Sequence, residues 1–531
     1  MNTSLPPHLE RYANGFWRDQ TLADMAVARV AEDADFIAYV AGDTRFTRAQ
    51  IWAEAQALAA AMAALGLQPG DVISFLTPNW VEAAVINLAA AASGLIINPI
   101  VHIYRDAEVG QMLADCGAKL LFIASEFRGY DYAAMAARLR SGLPDLAHIV
   151  VVRGVHDGML AYDELLARGR SLAFTRPKVD PRGVKLLLYT SGTTGKPKAV
   201  LHSHNSLTRA VDESARHWRI RAGDAMIMPS PVTHVSGYSN GLETPWICGA
   251  RTILMKSWNA EAALTLIEQH EVVGTVAATP FLTELANAAR VAGKTLPSFR
   301  FFACGGAAVP DEVIPAANAA FAHAHAFRVF GSSEVPLVTL GYPAADDTHL
   351  AATTDGAIID YDVRIVDDED RDVAAGAEGE ILARGPAMFM GYADPSQTAE
   401  SITTDGYFRT GDIGRITPEG ALQITGRKKD LIIRGGENIS AKEIEDVLSA
   451  HPDVREAAVV AMPHARLGEG VCAYIIGSAA PENLIAHVAA SGLAKQKTPE
   501  HFEFVTDFPR TASGKIRKDI LRAEIKAKRG A

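Results

Sequence analysis

The chain has 531 residues, of which 48% are hydrophobic and 21% are charged. This length exceeds one ordinary core, and the composition is that of a globular protein, so we expect two or more domains. The formal net charge of −11 argues against a nucleic-acid partner. Cys116, Cys248, Cys304 and Cys472 are widely spaced, which favours reduced thiols over a metal cluster.

The start of the chain predicts neither a secretory signal nor a membrane anchor. Residues 1–10 lack the basic-then-apolar pattern of a signal peptide. The most membrane-like stretch, 81–101, is interrupted by polar residues, by Gly94 and by Pro99, which favours a helix followed by a buried strand. We therefore expect a cytoplasmic protein without a membrane span.

An N-terminal arm, 1–45, precedes a long region in which helices alternate with short apolar strands. Thr21 and Asp24 in this arm could cap a helix. The alternation predicts βαβ units and a parallel sheet. The predicted helices are 47–66, 80–92 and 106–116, and the predicted strands are 71–75, 95–98, 119–124, 184–188, 225–228, 252–255, 272–277, 300–303 and 328–330.

The pattern changes near residue 361. Residues 361–392 predict turn-linked strands, as in a small barrel or an antiparallel sheet, and a further strand is predicted at 421–425. The chain beyond has its own helix, 441–450, and its own strands. We predict an α/β fold with a large N-terminal domain, 1–426, of parallel-rich sheets with helices plus a small barrel-like β part, and a small α+β C-terminal domain, 427–531.

A loop rich in glycine and hydroxyl groups follows the strand predicted at 184–188. Gly192 and Gly195 let the backbone approach a ligand closely, and amides, hydroxyls and lysines together suit a phosphate. It is not a Walker A loop, because Pro197 stands five residues after Gly192. The candidate phosphate-binding residues in this loop are Thr190, Ser191, Gly192, Thr193, Thr194, Gly195 and Lys198.

This loop resembles the phosphate-binding motif of the adenylate-forming enzymes, which include acyl-CoA synthetases, the adenylation domains of peptide synthetases and luciferases. Ala199 stands where the family usually has Gly. Further stretches match the same family in the family's order, and one is the C-terminal motif of its CoA ligases. They are 231–237, 304–308, 330–334, 409–412, 434–445 and 509–515.

The resemblance implies ATP, Mg²⁺ and coenzyme A as cofactors and assigns residues to them. Glu334 supplies an oxygen suited to Mg²⁺ held mainly by phosphates. Phe330 replaces the usual Tyr but keeps a ring for stacking on adenine, and Ser333 replaces the usual Thr near the α-phosphate. Asp412 and Arg427 are expected at the ribose. The remaining candidates at the nucleotide are Gly305, Gly306, Ala307, Gly331 and Ser332.

Lys515 is the main candidate for catalysis, together with Glu334 and His234. A carboxylate must approach an anionic α-phosphate, and two such charges about 4 Å apart repel by roughly 4 kcal/mol at an effective dielectric of 20. A lysine that bridges both would remove this opposition and stabilise charge in the transition state. Lys515 matches the last motif of the family.

The resemblance also implies a mobile C-terminal domain that serves two half-reactions. Lys429 occupies the hinge position, and Gly435 and Gly436 would leave room for the pantetheine arm of coenzyme A. In the family, a residue at the position of His234 lines the acyl pocket and gates it. The candidate pocket residues are His234, Val235, Gly237, Val335 and Pro336.

These motifs predict an ATP-dependent carboxylate–CoA ligase. The alternative is an aryl-acid adenylation enzyme that loads a carrier protein, although hydroxybenzoate enzymes of that kind carry Asn where Val235 stands. A luciferase-like oxygenase and a non-catalytic binding module are further alternatives; intact Lys515 and Glu334 argue against the module. The chain resembles bacterial cyclohexanecarboxylate and medium-chain ligases, which leaves an alicyclic ring, a medium-length fatty acid and a simple aryl acid open as substrates.

Beyond its small-molecule substrates, two kinds of protein partner are considered. Pro509 and the Gly514–Lys515 pair match the motif by which protein acetyltransferases recognise such ligases, so an acetyltransferase and a deacetylase could act on Lys515. Acetylation would remove the charge of this lysine. The resemblance leaves a homodimer open.

Overall fold

The computed structural model describes residues 5–190, 197–306, 309–435, 437–511 and 514–529. Among these residues, none of the helices combines the length and the apolar character that a membrane crossing needs. The helices in chain order are α1 (Leu22–Glu32), α2 (Arg48–Ala64), α3 (Val81–Ser93), α4 (Asp106–Cys116), α5 (Tyr132–Leu139), α6 (Tyr162–Arg170), α7 (His204–His217), α8 (Val235–Gly237), α9 (Thr244–Ile247), α10 (Ala260–His270), α11 (Thr279–Ala292), α12 (Val313–Ala320), α13 (Thr348–Thr353), α14 (Pro395–Ser401), α15 (Ala441–Ser449), α16 (Pro481–Ala490) and α17 (Lys518–Lys528).

The strands form three large sheets before residue 428 and one sheet after it. In chain order they are β1 (Ile37–Ala41), β2 (Thr44–Thr47), β3 (Val72–Leu76), β4 (Ile96–Pro99), β5 (Leu120–Ala124), β6 (Glu126–Phe127), β7 (Tyr130–Asp131), β8 (His148–Val152), β9 (Leu160–Ala161), β10 (Val184–Thr190), β11 (Lys198–Ser203), β12 (Ala225–Met228), β13 (Arg251–Leu254), β14 (Val272–Ala277), β15 (Phe301–Gly305), β16 (His325–Val329), β17 (Gly356–Ala357), β18 (Asp362–Val366), β19 (Gly379–Arg384), β20 (Gly391–Tyr392), β21 (Phe408–Ile416), β22 (Ala421–Arg427), β23 (Ile432–Arg434), β24 (Glu437–Ile439), β25 (Val454–His464), β26 (Gly468–Gly477) and β27 (His501–Phe504).

Two of these sheets are mostly parallel, as the helix–strand alternation predicts. The first has the order β20-β11-β10-β4-β3-β5-β8-β9 and is parallel from β10 to β9. The second has the order β16-β15-β14-β12-β13-β1-β2 and is parallel from β16 to β1. Because ligands of such sheets bind beyond the carboxyl ends of strands, the carboxyl ends of β10, β15 and β16 mark where a site can form.

The local signals at helix ends act as expected. Thr21 accepts a hydrogen bond from the backbone N–H of Asp24, and the Asp24 carboxylate accepts one from the backbone N–H of Thr21, so the capping box at α1 is confirmed. Gly94 ends α3 with φ at +68°, and a Cβ there would also lie 3.1 Å from Val179 Cγ2. The apolar stretch at 81–101 is therefore a helix, a glycine stop and a buried strand.

The turn-linked region forms a five-stranded antiparallel sheet with the order β17-β22-β21-β19-β18. Its register brings Asp412 of β21 directly opposite Arg427 of β22. The strand predicted at 421–425 extends to Arg427, one residue past the predicted domain boundary. The boundary itself stays a prediction.

The chain after Arg427 forms a separate, mostly antiparallel sheet. Strands β24-β23-β26-β25 pair in that order and antiparallel, and β27 adds to β26 in parallel. This sheet has its own apolar cluster, in which Ile432, Ile444 and Val459 are fully buried. Helix α17 packs on the other face through Leu521 and Ile525. Lys515 lies just before this helix, on the side that faces the larger part of the chain.

Candidate active site

A cavity of about 590 Å³ lies where the loops after the parallel strands meet the antiparallel sheet and the segment before α17. Motifs that are hundreds of residues apart in the sequence share its lining. The predicted site residues that line it are Thr190, Lys198, His234, Val235, Gly306, Phe330, Gly331, Ser332, Ser333, Glu334, Pro336, Asp412, Arg427, Lys429 and Lys515.

Four predicted residues lie outside this lining. Val335 is fully buried in the core. A Cβ on Gly237 would lie 2.1 Å from the carbonyl oxygen of Pro231, and one on Gly305 would lie 2.4 Å from that of Val329, so both glycines permit close backbone packing. Gly435 is exposed. Ser191, Gly192, Thr193, Thr194, Gly195, Ala307 and Gly436 lie outside the described residues.

Lys515 reaches the cavity from a short loop. Its backbone N–H donates to Thr511 Oγ1 at 3.1 Å, and its carbonyl accepts from the N–H of Thr511 at 2.7 Å. Burial and the nearby charges of Arg427 and Lys429 lower the pKa of Lys515 to about 8, although Asp412 and Glu334 oppose the shift. The lysine therefore lies within the electrostatic field of the candidate nucleotide residues, which is the arrangement that the adenylation step needs.

Asp412 and Arg427 form a pair on the floor of the cavity. Arg427 Nε donates to Asp412 Oδ1 at 2.8 Å, and Asp412 is only 4% exposed. Burial raises the pKa of Asp412, and the positive charges of Arg427 and Lys515 offset part of this shift. A buried carboxylate with a fixed partner can accept hydrogen bonds from ribose hydroxyls in a defined orientation.

Both the backbone carbonyl and the carboxylate of Glu334 accept hydrogen bonds. Its backbone carbonyl accepts from the N–H of Phe389 at 2.7 Å, and its carboxylate accepts from the Tyr392 hydroxyl at 2.8 Å. Lys198 Nζ lies 4.8 Å from the centre of the Tyr392 ring. A fixed carboxylate oxygen at the cavity fits a Mg²⁺ whose other ligands are phosphate oxygens and water.

The loop after β16 is shaped by backbone contacts. A Cβ on Gly331 would lie 2.4 Å from the backbone nitrogen of Leu337, so only glycine fits this turn. The backbone N–H of Phe330 donates to Thr339 Oγ1 at 2.8 Å. His202 Nε2 donates to the carbonyl of Ser333 at 2.6 Å, and burial lowers the pKa of His202 to about 4. A neutral histidine therefore fixes the loop.

The cavity extends beyond the nucleotide residues along the segment that begins at Thr233. His234 lies there, and burial together with the charge of Lys515 lowers its pKa to about 4, so it is neutral at physiological pH. Other residues of this part are Tyr104, Met112, Val211, Thr233, Val235, Ser236, Ser239, Asn240, Pro336 and Leu337. None of these side chains carries a positive charge. Lys515, which lies in the same cavity, does.

Sequence reasoning missed Tyr392, His202, Thr233 and Ser239. Tyr392 belongs to β20, a strand of two residues whose place beside β11 depends on the fold. His202 precedes α7 in an apolar strand and has no local signal. Thr233 lies within the motif 231–237, and nothing in that motif distinguishes its role from that of its neighbours. Only the assembled cavity shows what these side chains contact.

Comparison with known proteins gives consistent results over the whole chain. The family described as AMP-binding enzyme matches residues 27–393, and the family described as AMP-binding enzyme C-terminal domain matches residues 443–515. The medium-chain fatty-acid–CoA ligase of Escherichia coli (strain K12) is 35% identical over 526 residues, which cover 96% of this chain and 91% of that protein. The 2,3-dihydroxybenzoate-AMP ligase of Bacillus subtilis (strain 168) is 32% identical, with 97% and 95% covered. Among solved structures, ATP-bound MatB from Rhodopseudomonas palustris superposes with a TM-score of 0.85 at 26% identity and covers 96% of this chain and 99% of that one.

Proposed function

The chain belongs to the AMP-binding enzyme family and is an AMP-forming acyl-CoA synthetase that uses ATP, Mg²⁺ and coenzyme A, and we propose that its acid is an uncharged, largely apolar carboxylic acid of intermediate size. An alicyclic or a medium-chain acid fits this description. The observation that carries the proposal is the uncharged lining around Val235, Val211 and Leu337, in which apolar side chains lie beside neutral hydroxyl and amide groups. A second carboxylate buried there would lack a partner, which costs several kcal/mol.

The reaction has two steps on one acyl group. A carboxylate oxygen of the acid bonds to the α-phosphorus of ATP, the bond to the bridging oxygen breaks, and pyrophosphate leaves. The thiol of coenzyme A then loses its proton, its sulfur bonds to the acyl carbon, and the bond to AMP breaks. Neither step needs a covalent bond to the protein, so the free cysteines are not required.

We propose the following roles for the cavity residues in the first step. Lys515 bridges the attacking carboxylate and the α-phosphate and so offsets their repulsion. Asp412 and Arg427 hold the ribose, and Glu334 would hold Mg²⁺, which neutralises phosphate charge. His234 is neutral and forms part of the wall between the acyl group and the nucleotide.

The second step requires the turn that admits coenzyme A, and not Lys515, beside the acyl group. Gly435 is exposed and outside the cavity, while Lys515 lies within it. We propose that residues 427–531 rotate about Lys429 after adenylation, so that Lys515 leaves and the Gly435–Gly436 turn approaches the acyl-adenylate.

A panel of carboxylic acids, scored by coenzyme A-dependent AMP release, tests the substrate proposal. We expect cyclohexanecarboxylic and medium-chain acids to exceed dicarboxylic acids and 2,3-dihydroxybenzoate in kcat/KM. If a dicarboxylate or the dihydroxybenzoate is the best substrate, the proposed pocket chemistry is wrong.

A second candidate function is supported by the similarity to the 2,3-dihydroxybenzoate-AMP ligase. Such an enzyme would pass its acyl group to a carrier protein. The two candidates differ in a simple measurement: a coenzyme A ligase releases AMP rapidly when free coenzyme A is added, whereas a carrier-loading enzyme holds its adenylate until the carrier protein is present.

Lys515 is also our candidate for regulation by an acetyltransferase and a deacetylase. In the adenylating arrangement its amine is enclosed by the cavity, so modification would require the C-terminal part to move away. We expect saturating ATP and acid to slow acetylation of Lys515 by such an enzyme, measured by mass spectrometry, and full activity of the acetylated protein would contradict the idea. A cytoplasmic location and a homodimer are further proposals, which fractionation and light scattering would test.

A further inference from the structure

Among the residues that the structure describes, two buried hydroxyl groups on the acyl side of the cavity lack hydrogen-bond partners. They are Thr233 Oγ1 and Ser239 Oγ, in residues that are 2% and 5% exposed. Both residues line the cavity. A hydroxyl group that is removed from water without a partner destabilises the folded protein, so such a group in a native structure calls for an explanation.

Other polar side chains of the segment that carries these hydroxyls have hydrogen-bond or ion-pair partners. It runs from α8 into a π-type turn at Tyr238–Glu243, a kind of turn that is frequent at functional sites. The Tyr238 hydroxyl donates to Asn87 Oδ1 at 2.5 Å, and Glu243 forms a fully buried ion pair with Lys185. Asn240 Nδ2 donates to the carbonyl of Ser236 at 3.0 Å. The segment is therefore fixed by its neighbours, while the hydroxyls of Thr233 and Ser239 stay unpaired in residues that line the cavity.

We propose that Thr233 and Ser239 form a neutral hydrogen-bonding subsite for a hydroxyl or oxo substituent on the acid substrate. A serine or threonine hydroxyl can both donate and accept, so either substituent can be matched. A charged substituent is disfavoured, because the surrounding side chains are neutral and the nearby Lys515 is committed to the reacting carboxylate and the α-phosphate. This inference rests on the proposed function and refines it: the acid is uncharged and largely apolar but carries one polar oxygen.

The competing explanation is that ordered water satisfies both hydroxyls, in which case they would not affect substrate choice. The chain offers matched controls for this comparison. Ser93 Oγ and Thr252 Oγ1 are also buried without a partner, in residues that are 9% and 0% exposed, and neither lines the cavity. Removing those hydroxyls changes the same chemical group at a site that no acid reaches.

The experiment compares matched acids in the full-length enzyme. The series contains cyclohexanecarboxylic acid with its 3- and 4-oxo and 3- and 4-hydroxy derivatives, and octanoic acid with hydroxylated derivatives along its chain. The measured quantity is kcat/KM for coenzyme A-dependent AMP release, expressed as the ratio of each substituted acid to its parent. We expect at least one derivative to be preferred by about tenfold, since one additional satisfied hydrogen bond is worth roughly that factor.

The variants are Ser239→Ala and Thr233→Val, with Ser93→Ala and Thr252→Val as controls. We expect each of the first two to reduce the preference several-fold, mainly through KM for the substituted acid, while both controls keep it. The ratio within one variant cancels any general loss of activity or stability, and thermal unfolding establishes that each variant is folded.

The following outcomes would contradict the subsite proposal or the proposed function. If no derivative is preferred over its parent, or if the preference survives in both cavity variants, the subsite proposal is wrong and the hydroxyls bind water. If neither the parent acids nor their oxo and hydroxy derivatives give coenzyme A-dependent AMP release, the proposed function fails, and the subsite falls with it.

Discussion

Lys515 should give the adenylation step an alkaline limit. Its pKa is lowered to about 8 by burial and by the positive charges of Arg427 and Lys429. Lysine is charged below its pKa, and the proposed role needs the charge, so the first half-reaction should be lost as the pH rises through this value. With a pKa of about 8, about nine-tenths of the lysine is charged at pH 7 and about one-tenth at pH 9.

The expected size of the effect follows directly. The kcat/KM for acyl-adenylate formation, which reports the free enzyme, should fall about tenfold between pH 7 and pH 9. A lysine with an ordinary pKa of about 10.4 would lose only a few per cent of its charge over the same range. Bound ATP adds negative charge beside the amine, so the limit in kcat should lie at a higher pH than the limit in kcat/KM.

The assay is acid-dependent pyrophosphate exchange, measured from pH 6 to pH 10. The conversion of supplied acyl-adenylate to acyl-CoA serves as an internal comparison, because the thiol of coenzyme A ionises with rising pH and this step should not fall. His234 does not interfere, since its pKa of about 4 keeps it neutral throughout. The variant Lys429→Arg keeps a charge at the neighbouring position at every pH and should retain the limit near 8. A flat profile up to pH 9.5 would refute the assignment of the limit to Lys515.

Three substitutions test the other proposed roles. Lys515→Ala should reduce adenylation by roughly a hundredfold or more but largely spare thioester formation from supplied acyl-adenylate; equal losses would contradict the role. Tyr392→Phe removes the hydrogen bond to Glu334 and should raise the Mg²⁺ concentration for half-maximal rate by about tenfold, whereas Tyr407→Phe, which removes a similar hydrogen bond to Asp362 outside the cavity, should not. Lys429→Pro restricts the backbone at the proposed hinge, so we expect near-normal pyrophosphate exchange with little acyl-CoA; normal acyl-CoA formation would rule out the hinge.

The parts of this protein that could be predicted from the sequence are those fixed by neighbouring residues. Strands such as Val272–Ala277 and helix α4 are apolar or periodic runs bounded by turn residues, and the structure gives them the predicted bounds. The capping box at Thr21 is likewise a local signal. The family motifs could be read for the same reason, since each is a contiguous loop after a strand.

The remaining features depend on contacts between distant parts of the chain. Tyr392 is 58 residues from the Glu334 carboxylate that it contacts, and no pattern around either residue indicates the pair. Gly237 was expected to line the acyl pocket, but its lack of a side chain allows the backbone to pack against Pro231. Sequence reasoning assigned the glycine to the ligand because a pattern cannot distinguish room for a ligand from room for another segment.

The contacts across the predicted boundary are compatible with the proposed rotation of residues 427–531. Lys428 pairs with Asp368 and Glu380 at 3.1 Å each, but Lys428 is half exposed, and exposed ion pairs contribute little stability. Asp446 of α15 lies near Asp311 and Glu312 of the larger part, and burial together with the charge of Asp311 raises the pKa of Asp446, although Lys442 and Arg328 oppose the shift. The attraction between Lys428 and its two carboxylate partners is thus offset in part by the repulsion between Asp446 and Asp311. Such an interface can be exchanged for water at small cost, whereas the buried apolar clusters on either side keep each part intact.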